Sequence, residues 1–160
     1  MEVRAAAESE VDYLAKLWRD GWHDAHAQIT PAELVRLRTL ESFRERLQAG
    51  LPNVWAIGPF GAPTGFFMIK DDELYQFYVA AQSRGTGVAA TLMVDAEAQL
   101  AQRGVETAWL SCAIGNERAA RFYVKCGWNL AGTMVANLNT SHGTFPFEVW
   151  RYEKALTRPA

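Results

Sequence analysis

The segment VAAQSRGTGVA, residues 79–89, connects a predicted strand to a predicted helix and carries glycines at two alternate positions, Gly85 and Gly87. Glycine adopts positive φ and lets a ligand approach the backbone closely, because it has no Cβ. The first amide groups of a helix have no partner within the helix, so several of them point towards one bound anion. The segment is therefore typical of a backbone site for a diphosphate.

Taken alone, this pattern also occurs in ordinary connections between a strand and a helix. No lysine follows the glycines, so the segment is not a phosphate-binding loop of the Gly-x-x-x-x-Gly-Lys type. Ala90 stands where a dinucleotide-binding fingerprint has its third glycine. The loop by itself predicts an anion site and does not identify the ligand.

The sequence around the loop predicts an α/β fold with a mixed sheet. Short runs rich in aromatic and branched residues precede the loop and predict an antiparallel meander, and helical periodicity predicts four helices. The predicted strands are residues 3–6, 54–57, 64–70, 73–79, 105–112, 129–135 and 145–152. The predicted helices begin at Ser9 and at Thr30, with a break near residues 39–42 in the second, and span residues 87–103 and 116–126.

Two helix starts are predicted from capping boxes. Ser9 and Asp12 have the required spacing, and so do Thr30 and Glu33, with Pro31 at the first helical position. In such a box the hydroxyl of the first residue accepts a hydrogen bond from the backbone of the fourth.

Composition narrows the class of protein. A chain of 160 residues is expected to form one domain, residues 1–160. A net charge of -2 argues against nucleic-acid binding. Neither a signal peptide nor an apolar stretch of about 20 residues is present, so we expect a cytoplasmic protein that does not enter a membrane. Cys112 and Cys126 are expected to be reduced thiols, and His23 and His26 lack a third ligand, so no metal is expected.

A second motif, NERAARFYVKCGW at residues 116–128, follows the loop after about thirty residues. Together with Gln82-x-x-Gly85-x-Gly87, it resembles the GNAT superfamily of acyl-CoA N-acyltransferases, whose signatures are Gln/Arg-x-x-Gly-x-Gly/Ala and Asn-x-x-Ala-x-x-Phe-Tyr-x-x-x-Gly-Phe. Trp128 departs from the last position and keeps an aromatic ring. The resemblance is strong over residues 73–132 and topological elsewhere. It implies a GNAT-like fold, with a mostly antiparallel sheet splayed at the cofactor site and about four flanking helices.

The resemblance also implies a cosubstrate, acetyl-CoA, and residues that bind it. The backbone of Val79 would bond the pantetheine arm, Asn116 would contact the cofactor near that arm, and Phe122 would lie close to the cofactor or beneath it. The pyrophosphate would be held by the amides of one continuous segment, namely Arg84, Gly85, Thr86, Gly87, Val88 and Ala89.

Tyr123 is the residue that the resemblance places at the cofactor sulfur. When an amine attacks a thioester, negative charge develops on the departing thiolate. A phenol of pKa near 10 transfers its proton to a thiolate of pKa about 8.5 only uphill, so a hydrogen bond to the developing charge is the main expected role. The alternative is a core aromatic, because Asn116, Tyr123 and Gly127 share one helical face. The paired motifs favour the catalytic role.

A general base is harder to identify. Some GNAT proteins have a glutamate on the strand before the loop, and Glu73 occupies that strand here. Asp71, Asp72 and Glu73 also fit a solvated turn, and a water molecule or a backbone carbonyl are further routes for the proton.

The sequence thus predicts an N-acetyltransferase that acts on a primary amine by direct attack in a ternary complex. The alternatives are a CoA-binding sensor without turnover and a nucleotide-binding module. The resemblance places the acceptor near residues 22–30 and 137–145, where His142 is either a catalytic aid or an exposed loop residue. It allows a homodimer and does not identify the acceptor.

Overall fold

A computed structural model describes residues 2–157, which form a seven-stranded sheet with helices on both faces. The strands are β1 (Val3–Ala5), β2 (Val54–Ile57), β3 (Gly65–Lys70), β4 (Glu73–Val79), β5 (Thr107–Ala113), β6 (Asn129–Thr140) and β7 (Gly143–Ala155). The helices are α1 (Val11–His26), α2 (Ala32–Leu37), α3 (Leu40–Gly50), α4 (Val88–Gln102) and α5 (Glu117–Lys125). Within these residues no helix is long and apolar enough to cross a membrane.

The strand order is β1-β2-β3-β4-β5-β7-β6, and every neighbouring pair is antiparallel except β4 and β5. These two parallel strands are paired only where Glu73 lies opposite Trp109. Beyond that pair the strands diverge towards their carboxyl ends. The structure thus confirms the predicted mixed sheet and its splayed centre.

Each face of the sheet has its own apolar core. Helices α4 and α5 cover one face, where Leu92, Ala96 and Leu100 recur every four residues and contact the sheet. Helices α1 and α3 cover the other face with Leu14, Trp18 and Phe43 among its buried residues. The site lies between the two layers, where the sheet opens.

The second predicted helix is two helices, so five α-helices flank the sheet within residues 2–157 instead of the expected four or so. Arg38 leaves the helical conformation, with φ -89° and ψ 67°, and ends α2. Thr39 then caps α3, because its hydroxyl accepts a hydrogen bond of 3.2 Å from the amide of Ser42. The break turns Arg38 inwards, where it is 2% exposed.

Both predicted capping boxes are wrong. The hydroxyl of Thr30 donates to the carbonyl of His26 at 2.7 Å, and α2 begins after Pro31. Ser9 lies within a 3-10 turn, Glu8–Glu10, that precedes α1. There the buried carboxylate of Glu10 accepts from the amide of Ala7 and pairs with Arg4 at 2.9 Å. The carboxylate of Glu10, which also accepts from the distant amide of Gly61 at 3.0 Å, thus overrides the local capping signal.

The C-terminal hairpin is longer than predicted on both strands. The pairing of β6 and β7 runs from Asn129 opposite Glu153 to Thr140 opposite Gly143. Its outer end reaches the second core, where Leu138 and Phe145 pack. The carbonyl of Asn139 accepts a 2.6 Å hydrogen bond from Arg38. The extra length therefore brings the hairpin to the cavity described next.

Candidate active site

The divergence of β4 and β5 opens a cavity of about 400 Å³. Residues 74–79 of β4 form part of its wall, and α1, α2 and α5 close it. Seven of the residues predicted for the site line this cavity: Val79, Arg84, Gly85, Ala89, Asn116, Phe122 and Tyr123. The cavity thus brings both sequence motifs together.

One end of the cavity is formed by the loop before α4. Gly85 and Gly87 have φ values of 77° and 86°, which glycine adopts without strain. A Cβ at Gly87 would meet no protein atom within 4 Å, so this conformation leaves open space beside the backbone. The amide of Thr91 makes a hydrogen bond to the carbonyl of Gly87, which leaves the preceding amides of the first turn available for an anion.

Three of the predicted loop residues do not have side chains in the cavity wall. Thr86 and Gly87 are exposed. Val88 is buried in the core on the face of the sheet that α4 covers. Their amides belong to the turn that opens α4, so the prediction for these residues concerns the backbone alone.

Two arginines flank this end and share one carboxylate. Asp24 of α1 accepts from Arg118 of α5 at 2.9 Å and from Arg84 of the loop at 3.2 Å. Hydrogen bonds from Arg118 and Arg84 hold the pKa of Asp24 below its usual range. The three exposed side chains form a bridge from α1 to the loop and α5. An incoming phosphate therefore meets two cations with one anion between them.

Helix α5 presents its first turn and one face to the cavity. The side chain of Asn116 caps the helix by accepting from the amide of Ala119 at 3.4 Å, so it has a structural role besides its place in the wall. The ring of Phe122 stacks on Phe77 of β4 with a centroid separation of 5.6 Å. These contacts fix α5 against the open edge of β4.

Tyr123 follows on the same helix and packs against Tyr152 at 6.0 Å between ring centroids. Burial raises the pKa of Tyr123 well above its usual value, and the neighbouring Cys112 and Tyr78 raise it further. The phenol is therefore protonated at neutral pH. This environment equips Tyr123 to donate a hydrogen bond and makes complete transfer of its proton harder.

Cys112 also lines the cavity, and burial raises the pKa of its thiol to about 12. A thiol must be deprotonated to act as a nucleophile. Cys112 is thus protonated at neutral pH and suited to packing, while Cys126 lies outside the cavity lining.

Glu73 lies at the other end of β4 and is absent from the cavity lining. Asp71 and Asp72 are exposed, and Asp72 accepts from the Trp109 indole at 2.9 Å, so these two residues form the turn into β4. Glu73 itself is half-buried. Burial raises the pKa of Glu73 to about 7. Its protonation is thus poised near neutrality, at a place remote from the loop.

The second end of the cavity is aromatic and is built from α1, α2, α3 and the C-terminal hairpin. Its wall includes residues from both segments predicted near the acceptor: Trp22 and His26 from the first, and Leu138 from the second. His142, in the second segment, is exposed and is not part of the lining. The Nδ1 atom of His26 donates to the carbonyl of Trp22 at 2.8 Å, which leaves Nε2 as an acceptor. Burial lowers the pKa of His26 to about 4, so the imidazole is neutral.

Sequence reasoning missed four polar residues of this end: Arg38, Arg46, Tyr75 and Tyr78. The tyrosines are three apart on β4 and would face opposite sides of a regular strand. A register shift opposite Met68 and Ile69 turns both towards the second core. Arg46 was detectable in part, because it lies three residues after the apolar Phe43 on α3.

The residues described contain no cluster of His, Cys, Asp or Glu side chains suited to a metal ion. His23 and His26 contact different carbonyl oxygens, those of Arg38 and Trp22, and so do not converge on one point.

Comparison with known proteins gives the family. Residues 12–128 match the model of the acetyltransferase (GNAT) family. Uncharacterized N-acetyltransferases of Mycobacterium bovis and Mycobacterium tuberculosis are 38% identical over 73 residues, which are 46% of this chain and 47% of each relative. The match thus spans about half the length of these curated relatives.

Solved structures agree in fold. A GCN5-related N-acetyltransferase of Rhodopseudomonas palustris superposes with a TM-score of 0.75 at 19% identity, over 97% of this chain and 95% of that chain. The PaiA N-acetyltransferase of Thermoplasma acidophilum was solved in complex with coenzyme A. It superposes with a TM-score of 0.65 at 20% identity, over 96% of this chain and 98% of that chain. With most of its length matched by the family model, the chain belongs to the acetyltransferase (GNAT) family.

Proposed function

We propose that this protein is an N-acetyltransferase that moves the acetyl group of acetyl-CoA directly to a primary amine in a ternary complex. The observation that carries the proposal is one cavity that holds the amide-rich turn of α4, the open edge of β4 and the Tyr123 phenol. The coenzyme A bound to the T. acidophilum relative supports the cosubstrate.

The loop and the splayed strands are suited to the two parts of the cofactor. The pyrophosphate would accept hydrogen bonds from the amides of residues 85–89, at the positive end of the α4 dipole. The predicted amide of Arg84 already donates to the carbonyl of Ala81 at 3.2 Å, so Arg84 would contribute its side chain instead. The pantetheine amides would pair with backbone groups around Val79, which β5 leaves without a ladder partner in the part of the chain described. The thioester would then lie near Tyr123.

The protonation states of Cys112 and Tyr123 favour direct transfer from the cofactor to the amine. Cys112 is held as a neutral thiol and is a poor site for an acyl-enzyme intermediate. The protonated Tyr123 phenol would hydrogen-bond the sulfur as the C–S bond breaks and charge develops on it. The amine nitrogen would form its bond to the acetyl carbon in the same complex.

The amine must attack without its proton. Four arginines and no aspartate or glutamate line the cavity within residues 2–157. Such a positive environment lowers the pKa of a bound amine and favours its neutral form. The Nε2 atom of His26 would be one acceptor for the proton, and Glu73 would act only through a relay of water.

The test is turnover by the purified protein with acetyl-CoA and a panel of primary amines, followed by thiol release and by mass spectrometry of the acceptor. We expect thiol release that depends on the amine and one acetyl group added per thiol formed. Binding of CoA by calorimetry without amine-dependent release across the panel would contradict the proposal and support a CoA sensor.

A further inference from the structure

The acceptor end of the cavity holds two arginines, Arg38 and Arg46, that have no carboxylate partner within residues 2–157. Arg44 and Arg46 are on the same helix, two residues apart, and only Arg44 has acidic partners, Asp12 and Glu41. Other arginines without a carboxylate partner in the described residues are exposed to solvent: Arg36, Arg103 and Arg121. Arg38 and Arg46 differ from these because both line the cavity.

Arg38 is buried, with 2% of its surface exposed. One of its guanidinium nitrogens donates to the carbonyl of Asn139, while the buried Nε atom has no hydrogen-bond partner. Burial and the nearby Arg46 together lower the pKa of Arg38 to about 10, so Arg38 still carries its charge at neutral pH. A buried charge that faces a second like charge is costly unless an anion lies beside it.

Arg46 is held above aromatic rings and not by an acid. Its guanidinium lies 4.3 Å from the Trp18 ring centroid, and Nη2 donates to the Tyr75 hydroxyl at 3.2 Å. Its buried Nε and Nη1 atoms have no hydrogen-bond partner. A cation–π contact orients the guanidinium without neutralising its charge. Arg46 also lines the cavity, so its positive charge is available to an anionic group that enters there.

The cofactor phosphates do not account for these donors under the proposed function, because their site is the loop at the opposite end of β4. Tyr75, which Arg46 contacts, precedes Val79 by four residues, or about 13 Å along a strand. Two guanidinium groups in one cavity wall, without a carboxylate between them, are suited to a planar carboxylate or to a phosphate. Aromatic side chains, Trp22, Tyr78 and Phe147, line the space around them.

Resting on the proposed function, we infer that the acceptor is an amine that carries an anionic oxygen group, which Arg38 and Arg46 bind while the amine faces the thioester. A polycation would place a second positive charge beside two arginines, so polyamines are expected to be poor acceptors. The arginines then select the substrate, and Tyr123 acts on the cofactor.

The experiment compares acceptors that differ only in charge. Its substrates are ω-amino carboxylates with two to five methylene groups, the matching neutral carboxamides and the matching aminoalkyl phosphates. We expect kcat/KM for one anionic series to exceed that of the carboxamides by about 10-fold or more at the best chain length. Comparison of kcat/KM between the carboxylate series and the phosphate series identifies which anion is preferred.

Variants assign the preference to the arginines. R46Q is expected to reduce the ratio of anionic to neutral kcat/KM about 10- to 100-fold, with R46K recovering part of it. R44Q, an exposed change on the same helix, should leave the ratio unchanged. R38Q is the second variant, and melting curves report whether each protein folds. Because the readout is a ratio within one variant, partial loss of folded protein does not imitate the effect.

Two results would overturn the inference while leaving the proposed function intact: equal or better turnover of the carboxamides by the wild type, or an unchanged ratio in R46Q. If no amine is acetylated, the proposed function fails instead. Calorimetry with hexanoate, hexyl phosphate and hexanamide then tests the arginine site by itself. Absence of anion-selective binding in that measurement would also refute the inference.

Discussion

The cavity has two ends that differ in how the chain builds them. The cofactor end uses backbone amides and small residues from two short segments, residues 79–89 and 116–123. The acceptor end uses large side chains from α1, α2, α3, β4 and the C-terminal hairpin, which come from distant parts of the chain. Under the proposed function, backbone geometry would bind the cofactor that the whole family shares, and individual side chains would bind the acceptor.

Tyr123 lies between the two ends, and its replacement should have the largest effect. Y123F removes the hydrogen bond to the departing thiolate and keeps the ring, so we expect kcat and kcat/KM to fall about 10²–10³-fold with CoA affinity unchanged. Y152F is the matched control, because Tyr152 packs against Tyr123 and lies outside the cavity lining. Near-normal kcat in Y123F, with chemistry shown to limit turnover, would make Tyr123 a core aromatic.

A smaller effect is expected at the cofactor end from G87A. The added Cβ would meet no protein atom but would occupy the space assigned to the pyrophosphate, so the Kd for CoA should rise about 10-fold. Gly104, just after the other end of α4, has φ 85° and equally open surroundings. G104A should therefore cost the same stability, about 1–2 kcal/mol, without changing CoA binding. Equal CoA affinities for the two variants by calorimetry would remove the loop from the cofactor site.

The smallest effect on rate is expected from E73Q, because Glu73 lies outside the cavity lining. We expect kcat to change less than about 3-fold at neutral pH, which is below the usual contribution of a general base. A large loss that recovers at high pH, where free amine is plentiful, would show that Glu73 relays the proton after all.

Stability provides a second readout for the same variant. Because the pKa of Glu73 is raised from 4.5 to about 7, the folded state keeps a proton that the unfolded state releases between these values. Wild-type stability should thus fall as the pH rises through this window. The free energy of unfolding of E73Q should exceed that of the wild type by about 1–2 kcal/mol at pH 8 and by little at pH 4.5. E33Q, an exposed change on α2, is the control in chemical unfolding.

Much of the fold was predictable from local patterns. Strands β2 and β4 have the predicted boundaries, and α4 and α5 differ by one residue at each end. These elements have a clear period and are bounded by turn residues. The errors arose where buried charged side chains decide the local structure: Glu10, which accepts from Gly61 and pairs with Arg4, near Ser9, and Arg38 at the break between α2 and α3. The length of the β6–β7 hairpin was missed because its outer end packs on helices that no local pattern connects to it.

The sequence by itself determined the cofactor end, because the loop glycines, the first turn of α4 and the Asn116-to-Tyr123 face of α5 are each set by spacing within a few residues. Only the tertiary structure decided the acceptor end. There the bulge in β4 turns Tyr75 towards Arg46, and the hairpin meets Arg38 through a contact that spans 101 residues of chain. Backbone conformation follows from neighbours in sequence, whereas the charge balance of a cavity depends on which distant side chains the fold brings together.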